Sequence, residues 1–277
     1  MDCAFCHEEG ESVQLHVIRG SNIVQCRRCG LIYTNPRMNW DYASSSDDFE
    51  RELEVYRRHY WPKRKVSAER FWDGAEDYRK TGYLLDVGCG FGFFLNEARE
   101  HGWSVVGVEI AEDEAKWGEK HFGLPVVSTL DSDRLPKQEF DIITLWDSVE
   151  HIRDLKTLLE KCLQLLRPKG LLFLKTPNAQ ALTLDVSWWS WMYIFLYRHL
   201  VYPANPKEHV YHFTPEIIGH ILGKSGFAVK LIETDQGWKE RVIVGRNILV
   251  QLMRYPLMWI ALLASLPYEM SIWAEKG

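Results

Sequence analysis

The sequence lacks any apolar run approaching the roughly 20 residues a membrane-spanning helix requires. Its longest such stretch, Leu257 to Leu266, is closed by Pro267, and Gln251, Arg254 and Pro256 block its extension. That leaves a buried helix or an in-plane amphipathic anchor as readings of this run. The chain also lacks an excess of positive charge. Its 33 Lys and Arg stand against 38 Asp and Glu, a net charge of −5, and no basic stripe is evident. A general nucleic-acid surface is therefore not expected, although a local patch stays open. The first residues lack the basic-then-apolar pattern of a secretory signal, and the six cysteines then suit a reducing, cytoplasmic setting. What 277 residues can hold is one full α/β domain with an accessory piece.

The chain is organised around Tyr83-Leu84-Leu85-Asp86-Val87-Gly88-Cys89-Gly90-Phe91-Gly92. A short apolar run ends in Asp86, glycine follows at every second position, and a helical pattern begins at Phe93. This reads as a buried strand, a tight turn and a helix start, with backbone N–H groups free at the turn. Gly88, Gly90 and Gly92 remove the Cβ atoms that would keep a ligand from the backbone. A second apolar run, Val105 to Val108, ends in Glu109, an acid placed to meet the two hydroxyls of a ribose. An ordinary strand–helix turn is the alternative. The D-x-G-x-G-x-G pattern resembles the S-adenosylmethionine (SAM) loop of class I methyltransferases. That resemblance implies that Asp86 and the loop residues Gly88, Cys89, Gly90 and Gly92 meet the methionine end of SAM, and Glu109 its ribose.

Cys3-x-x-Cys6 and Cys26-x-x-Cys29 have zinc-ribbon spacing: each pair forms one knuckle, and two knuckles complete a tetrahedral four-thiolate site. With no open position the zinc would be structural. The stretch from Val13 to Val24 reads as a hairpin turning at Gly20-Ser21-Asn22. A disulfide framework is the rival reading, and His7 and His16 are spare ligands nearby. Similar N-terminal knuckles precede some methyltransferases that act on sugars.

From Tyr83 onward, apolar strand candidates (83–87, 104–109, 125–128, 140–146, 170–175) alternate with helical patterns (93–101, 112–122, 154–167). This predicts an α/β fold, a doubly wound Rossmann-like sheet with its ligand at the strands' C-terminal ends. The class I resemblance implies seven strands, with 227–234 and 241–249 as the terminal antiparallel pair after a helix at 215–225. By family position Asp131 would meet adenine, with Asp133 as competitor, and Trp146 closes the cofactor set.

The fourth strand runs into Asp147-Ser148-Val149-Glu150-His151. This acid-x-x-Glu-His segment resembles ubiquinone-biosynthesis O-methyltransferases and small-RNA 2′-O-methyltransferases. The likeness continues in Thr176-Pro177-Asn178 and in His209 to Glu216. It implies that Asp147, Glu150, His151 and His209 can hold a divalent cation, Mg²⁺ or Mn²⁺, beside an acceptor hydroxyl. Such an ion lowers an alcohol's pKa and helps it attack the methyl sulfonium. Asp147 departs from the relatives' usual glutamate. The second reading has His151 or His209 as general base, or merely orienting the acceptor.

The domains expected are a zinc-ribbon knuckle at 1–38, a helical lid at 39–80, a methyltransferase domain at 81–250 and a C-terminal apolar helix at 251–277. Pro62 divides the lid, whose aromatics either cover the cofactor or pack on the sheet. An aromatic insertion at 179–208, densest at 187–202, suits an acceptor pocket wall, a homodimer face or a peripheral contact at the inner membrane face. The function expected is SAM-dependent O-methylation of a hydroxylated small molecule, a sugar or lipid-linked glycan being favoured. A non-catalytic SAM-binding zinc-ribbon protein and an RNA 2′-O-methyltransferase are the alternatives.

Overall fold

Tyr83–Val87 forms a strand because its alternating neighbours on both faces are apolar, and from Leu84 to Val87 every residue is buried. The computed structural model describes residues 3, 5–6, 12–18, 20–36, 49–137, 139–179, 209–235 and 269–277. The N-terminal strands are β1 (Ser12–Ile18), β2 (Ser21–Cys26) and β3 (Ile32–Asn35). Helix α1 (Phe49–Val55) runs through a π-helical turn, Tyr56–Tyr60, into α2 (Trp61–Ala75). Pro62 follows just after that π-helical turn, the kind of local widening that accommodates a residue with no N–H to give to the preceding turn. Then follow β4 (Tyr83–Val87), α3 (Phe93–Glu100), β5 (Ser104–Val108), α4 (Glu112–Phe122), β6 (Val126–Val127) and β7 (Phe140–Trp146). The remainder comprises α5 (Leu155–Leu165), β8 (Leu166–Pro177), β9 (Tyr211–His212), α6 (Pro215–Lys224), β10 (Phe227–Asp235) and β11 (Glu269–Lys276).

The large sheet has seven strands in the order β10-β11-β8-β7-β4-β5-β6. Five are parallel in series, β8, β7, β4, β5 and β6, and β11 enters antiparallel to both β8 and β10. The order reverses between β4 and β7, the switch point where such sheets bind their ligands. Residue 141 fixes this junction. The buried Asp141 carboxylate accepts the backbone N–H groups of Lys80, Thr81 and Gly82 at 2.7–2.8 Å, and Arg167 reaches it from the far side.

Helices α2 and α3 cover one face of the sheet. Phe71 packs there against Trp146 (centroids 5.8 Å apart), Phe173 (4.8 Å) and Phe94 (5.8 Å). Truncating such a buried ring to alanine costs about 3–5 kcal/mol. Helices α5 and α6 cover the other face. Asp154 caps α5 by accepting the Thr157 N–H, and Thr214 caps α6 by accepting that of Ile217, each satisfying a donor the helix leaves open.

Three expectations change. Among the described residues the strand antiparallel to β10 is Glu269–Lys276; the expected partner 241–249 lies outside them. Residues 269–276 are therefore not the end of a C-terminal helix. Met270, Ile272 and Ala274 are buried at every second position, a strand period that an apolar-run reading passes over. The N-terminal hairpin turns before Ser21, so Ser21 and Asn22 belong to β2, paired with Ile18 and Val17. The segment 187–202, the run 257–266 and His7 lie outside the described residues. Among the described residues no helix is long and apolar enough to cross a membrane.

Candidate functional site

The loop after β4 carries three glycines in left-handed conformation, with φ of 78°, 52° and 78° at Gly88, Gly90 and Gly92. At two of them space is also closed. A Cβ on Gly88 would lie 2.7 Å from Ser148 Cβ, and one on Gly92 2.6 Å from Leu124 Cδ1. Glu109, at the end of β5, spans this loop: Oε2 accepts the Gly90 N–H and Oε1 the Ala111 N–H, both at 2.8 Å. A carboxylate offers about four lone-pair sites. Two are used within the protein, which leaves about two more.

Asp86 is buried beneath the loop, its Oδ1 accepting the Thr144 hydroxyl at 2.7 Å. Burial raises its pKa to about 7, against the opposing pull of Thr144 and Arg64. Helix α2 supplies Arg64, whose Nη2 donates to Asp147 Oδ2 at 2.9 Å while Nη1 donates to the Tyr56 hydroxyl at 3.1 Å. Tyr56 rests on Phe91 (5.5 Å) and Phe93 (5.4 Å). The two readings of the lid aromatics thus divide along the chain: Phe49 and Tyr56 cover the loop, while Phe71 and Trp72 pack on the sheet.

Glu150, His151 and His209 come together beyond β7, with ligand atoms all within 4.8 Å of one another. The His151 and His209 rings meet edge to face at 4.8 Å, and His151 Nε2 lies 3.9 Å from Glu150 Oε1. The other Glu150 oxygen accepts the Thr176 hydroxyl at 3.0 Å, which absorbs the Thr-Pro-Asn segment into the site. Burial, with Asp147 nearby, raises the Glu150 pKa to about 8. Burial, then the neighbouring imidazoles of His151 and His212, lowers that of His209 to about 3. A protonated carboxyl and a neutral imidazole make a cluster that a cation would ionise. Two imidazoles and one carboxylate suit Mn²⁺ or another transition ion better than Mg²⁺, which favours an all-oxygen shell.

Three predicted residues stand elsewhere. Asp147 turns to Arg64 instead of joining the cluster; it holds a left-handed φ of 49° while its N–H bonds Lys175 O. Its short arm serves the lid. Asp131 is 68% exposed and pairs with Lys161 on α5. Trp146 lies in the aromatic core, 1% exposed, with no hydrogen-bond partner for its indole N–H among the described residues. Its ring packs against Phe71, Phe94 and Phe173. Residues missed from the sequence are Arg64, Thr144 and Ser148; Tyr56 was among the lid aromatics. The separation of eight between Tyr56 and Arg64 is two helical turns, a one-face signal that was available.

At the N-terminus the four cysteine sulfurs lie within 4.8 Å of one another. Cys3 Sγ is 3.5 Å from Cys29 Sγ, and Cys6 Sγ is 3.6 Å from Cys26 Sγ. All are free thiols, the disulfide pairing is absent among the described residues, and the donor set fits a tetrahedral zinc.

Sheet order, glycine loop and terminal acid together define the class I SAM-dependent methyltransferase fold. The methyltransferase-domain family matches residues 56–231, more than half of the chain, and the chain belongs to that family. Curated relatives include the mitochondrial ubiquinone biosynthesis O-methyltransferase of Bos taurus, 28% identical over 162 residues, covering 54% of this chain and 42% of that protein. The ubiquinone biosynthesis O-methyltransferase of Coxiella burnetii is 36% identical over 105 residues, covering 36% and 45%. The chain thus spans less than half the length of the curated relatives it matches. Among solved structures, a SAM-dependent methyltransferase from Archaeoglobus fulgidus has a TM-score of 0.53 at 24% identity, covering 83% of this chain and all of that one. Geranyl diphosphate C-methyltransferase from Streptomyces coelicolor, solved with Mg²⁺, geranyl diphosphate and S-adenosyl-L-homocysteine, has a TM-score of 0.51 at 16% identity, covering 70% and 71%. These last two likenesses concern the fold alone.

Proposed function

We propose that the protein transfers the methyl group of SAM to an acceptor hydroxyl seated against Glu150, His151 and His209. The observation that carries this reading is the meeting of those three side chains at the end of β7, adjacent to the strand whose loop would hold SAM. The S–CH₃ bond breaks as the C–O bond forms, and its electron pair stays on sulfur to give S-adenosylhomocysteine. The hydroxyl proton passes to the His151 imidazole and from there to solvent. Glu150, 3.9 Å away, steadies the imidazolium once ionised. The lid residues Tyr56 and Arg64 keep water from the sulfonium.

A divalent cation bound by Glu150, His151 and His209 would lower the pKa of the acceptor hydroxyl. A four-thiolate zinc at Cys3, Cys6, Cys26 and Cys29 would hold the N-terminal ribbon. Oxygen as the acceptor is supported by the names of the curated relatives, and a sugar or lipid-linked glycan by the knuckle that precedes the domain. Contact with a membrane face, or a dimer, rests on the aromatic sequence at 187–202.

The test is turnover on hydroxylated acceptors with chelator, with added Mn²⁺, and in His151→Ala and His209→Ala. Under the metal version chelator abolishes turnover, Mn²⁺ restores it and SAM affinity barely moves. Under the base version chelator does nothing and the rate falls at low pH. Near-normal turnover in the double variant would exclude both.

A further inference from the structure

The N-terminal ribbon is not a separate bead on the chain. Its sheet has four strands in the order β1-β2-β3-β9, and β9 is the Tyr211–His212 segment that follows His209. Ile32 pairs with His212 and Tyr33 with Tyr211, antiparallel. The Thr34 N–H donates to Val210 O at 3.0 Å. The opposite edge of the same segment is held by a single acceptor: Glu150 O takes the N–H groups of Val210 (2.8 Å) and Tyr211 (3.1 Å). The segment that carries His209 is therefore clamped between the ribbon on one side and the backbone of Glu150 on the other. The two domains also share one apolar core, in which Ile23, Ile32 and Tyr33 pack in the same cluster as Ile218 and Leu159.

One side chain completes the clamp. Thr34 is 1% exposed, and its Oγ1 lies 2.9 Å from His209 O and 3.0 Å from His212 Nε2. A hydroxyl has one proton to give. A carbonyl can only accept, so that proton goes to His209 O. Oγ1 must then accept from His212, which fixes the Nε2–H tautomer of that ring. Burial lowers the pKa of His212 to about 4, so the ring is neutral and the Nε2–H form leaves Nδ1 without a proton.

We propose that Thr34 is a positioning residue for the acceptor site: the ribbon, acting through β3 and the Thr34 hydroxyl, sets His209 in register with Glu150 and holds His212 in one tautomer. This rests on the reading of Glu150, His151 and His209 as the acceptor side. The knuckle hands on directly to β3. Cys26 closes β2, its carbonyl accepts the Gly30 N–H at 3.0 Å, and its N–H bonds Leu31 O at 2.9 Å. The thiolate cluster and the acceptor histidine are thus joined by a short run of ladder bonds, and no mobile linker intervenes. Whatever orders the four thiolates also orders His209.

The experiment compares Thr34→Val, which keeps the shape and loses the hydroxyl, with Thr34→Ser, which keeps the hydroxyl. Full-length protein labelled with ¹⁵N-histidine reports the tautomer of His212 and the environment of His209 by NMR, without reference to turnover. In the wild type His212 should appear as the Nε2–H form. In Thr34→Val the His209 and His212 signals should shift, and kcat should fall by about tenfold or more, the usual effect of losing a group that orients a site residue. Zinc content and SAM affinity should be unchanged. Thr34→Ser should restore both signals and rate. Wild-type histidine signals in Thr34→Val would overturn the proposal. So would a parallel loss of SAM affinity, which would make Thr34 a general structural residue. If no hydroxylated acceptor is turned over by the wild type, the function proposed above fails, while the NMR comparison still decides the role of Thr34.

Discussion

Replacing Glu109 with alanine tests the cofactor assignment at its most constrained atoms. In the structure both carboxylate oxygens already accept backbone N–H groups, from Gly90 and Ala111 at 2.8 Å. The remaining capacity, about two lone-pair sites, is the number a ribose diol needs. Alanine therefore removes two interactions at once. It frees the apex of the glycine loop, and it deletes the ribose acceptor. Hydrogen bonds to a charged group contribute about 1.5–3 kcal/mol, and the half-buried position of Glu109 keeps the total for the diol near that range. Affinity for SAM should fall by roughly ten- to a hundredfold, one decade for each 1.4 kcal/mol. Titration calorimetry with SAM and with its 2′-deoxy analogue separates the two losses. The wild type should discriminate against the deoxy compound, whereas the alanine variant should bind both with equal, weak affinity. An alanine variant that binds SAM within twofold of wild type, or still distinguishes the two compounds, would refute the ribose assignment.

Two further outcomes follow from the buried carboxylate and the cysteine cluster. Asp86 has its pKa raised from 3.8 to about 7, so the folded protein keeps a proton there that the unfolded chain releases. Its contribution to stability is full below pH 3.8 and declines as pH rises toward about 7. Asp86→Asn, which retains the oxygen bonded to Thr144, should flatten the loss of thermal stability between pH 5 and pH 7; equal slopes in both proteins would contradict it. Elemental analysis should find one zinc per chain, and Cys26→Ser should lose it while SAM affinity persists. Metal-free protein with stoichiometric disulfides, purified under reducing conditions, would sink the zinc reading.

Much of the parallel sheet was legible in the sequence because its strands are dominated by apolar residues and each helix carries its own signals. The run from Phe140 to Trp146 and the helix from Glu112 to Phe122 fall at the positions expected. The glycine loop was legible for a different reason: positive φ and close approach admit little besides glycine, so backbone geometry writes itself into residue type. The pairing of Glu150 with His151 is likewise local, two neighbours at a strand's end.

What the sequence could not carry was anything that depends on which distant segment arrives alongside. β11 alternates over only eight residues, and an apolar run before it masked that period. Arg64 was one charge among many until α2 packed beside the loop and set it against Asp147, apart from the cluster of Glu150, His151 and His209. Trp146 ends a strand, but which face its ring takes is decided by the helices packed there. The ribbon shows this best. The spacing of its four cysteines is a local fact and predicted the sulfur cluster directly. Its strand β3 pairs Ile32 with His212 and Tyr33 with Tyr211, far along the chain, and a two-residue strand has no period to read. Only the tertiary structure placed Thr34 beside His209 and His212, because ladder bonds and a shared apolar core are properties of the assembled surfaces and leave no pattern in either segment alone.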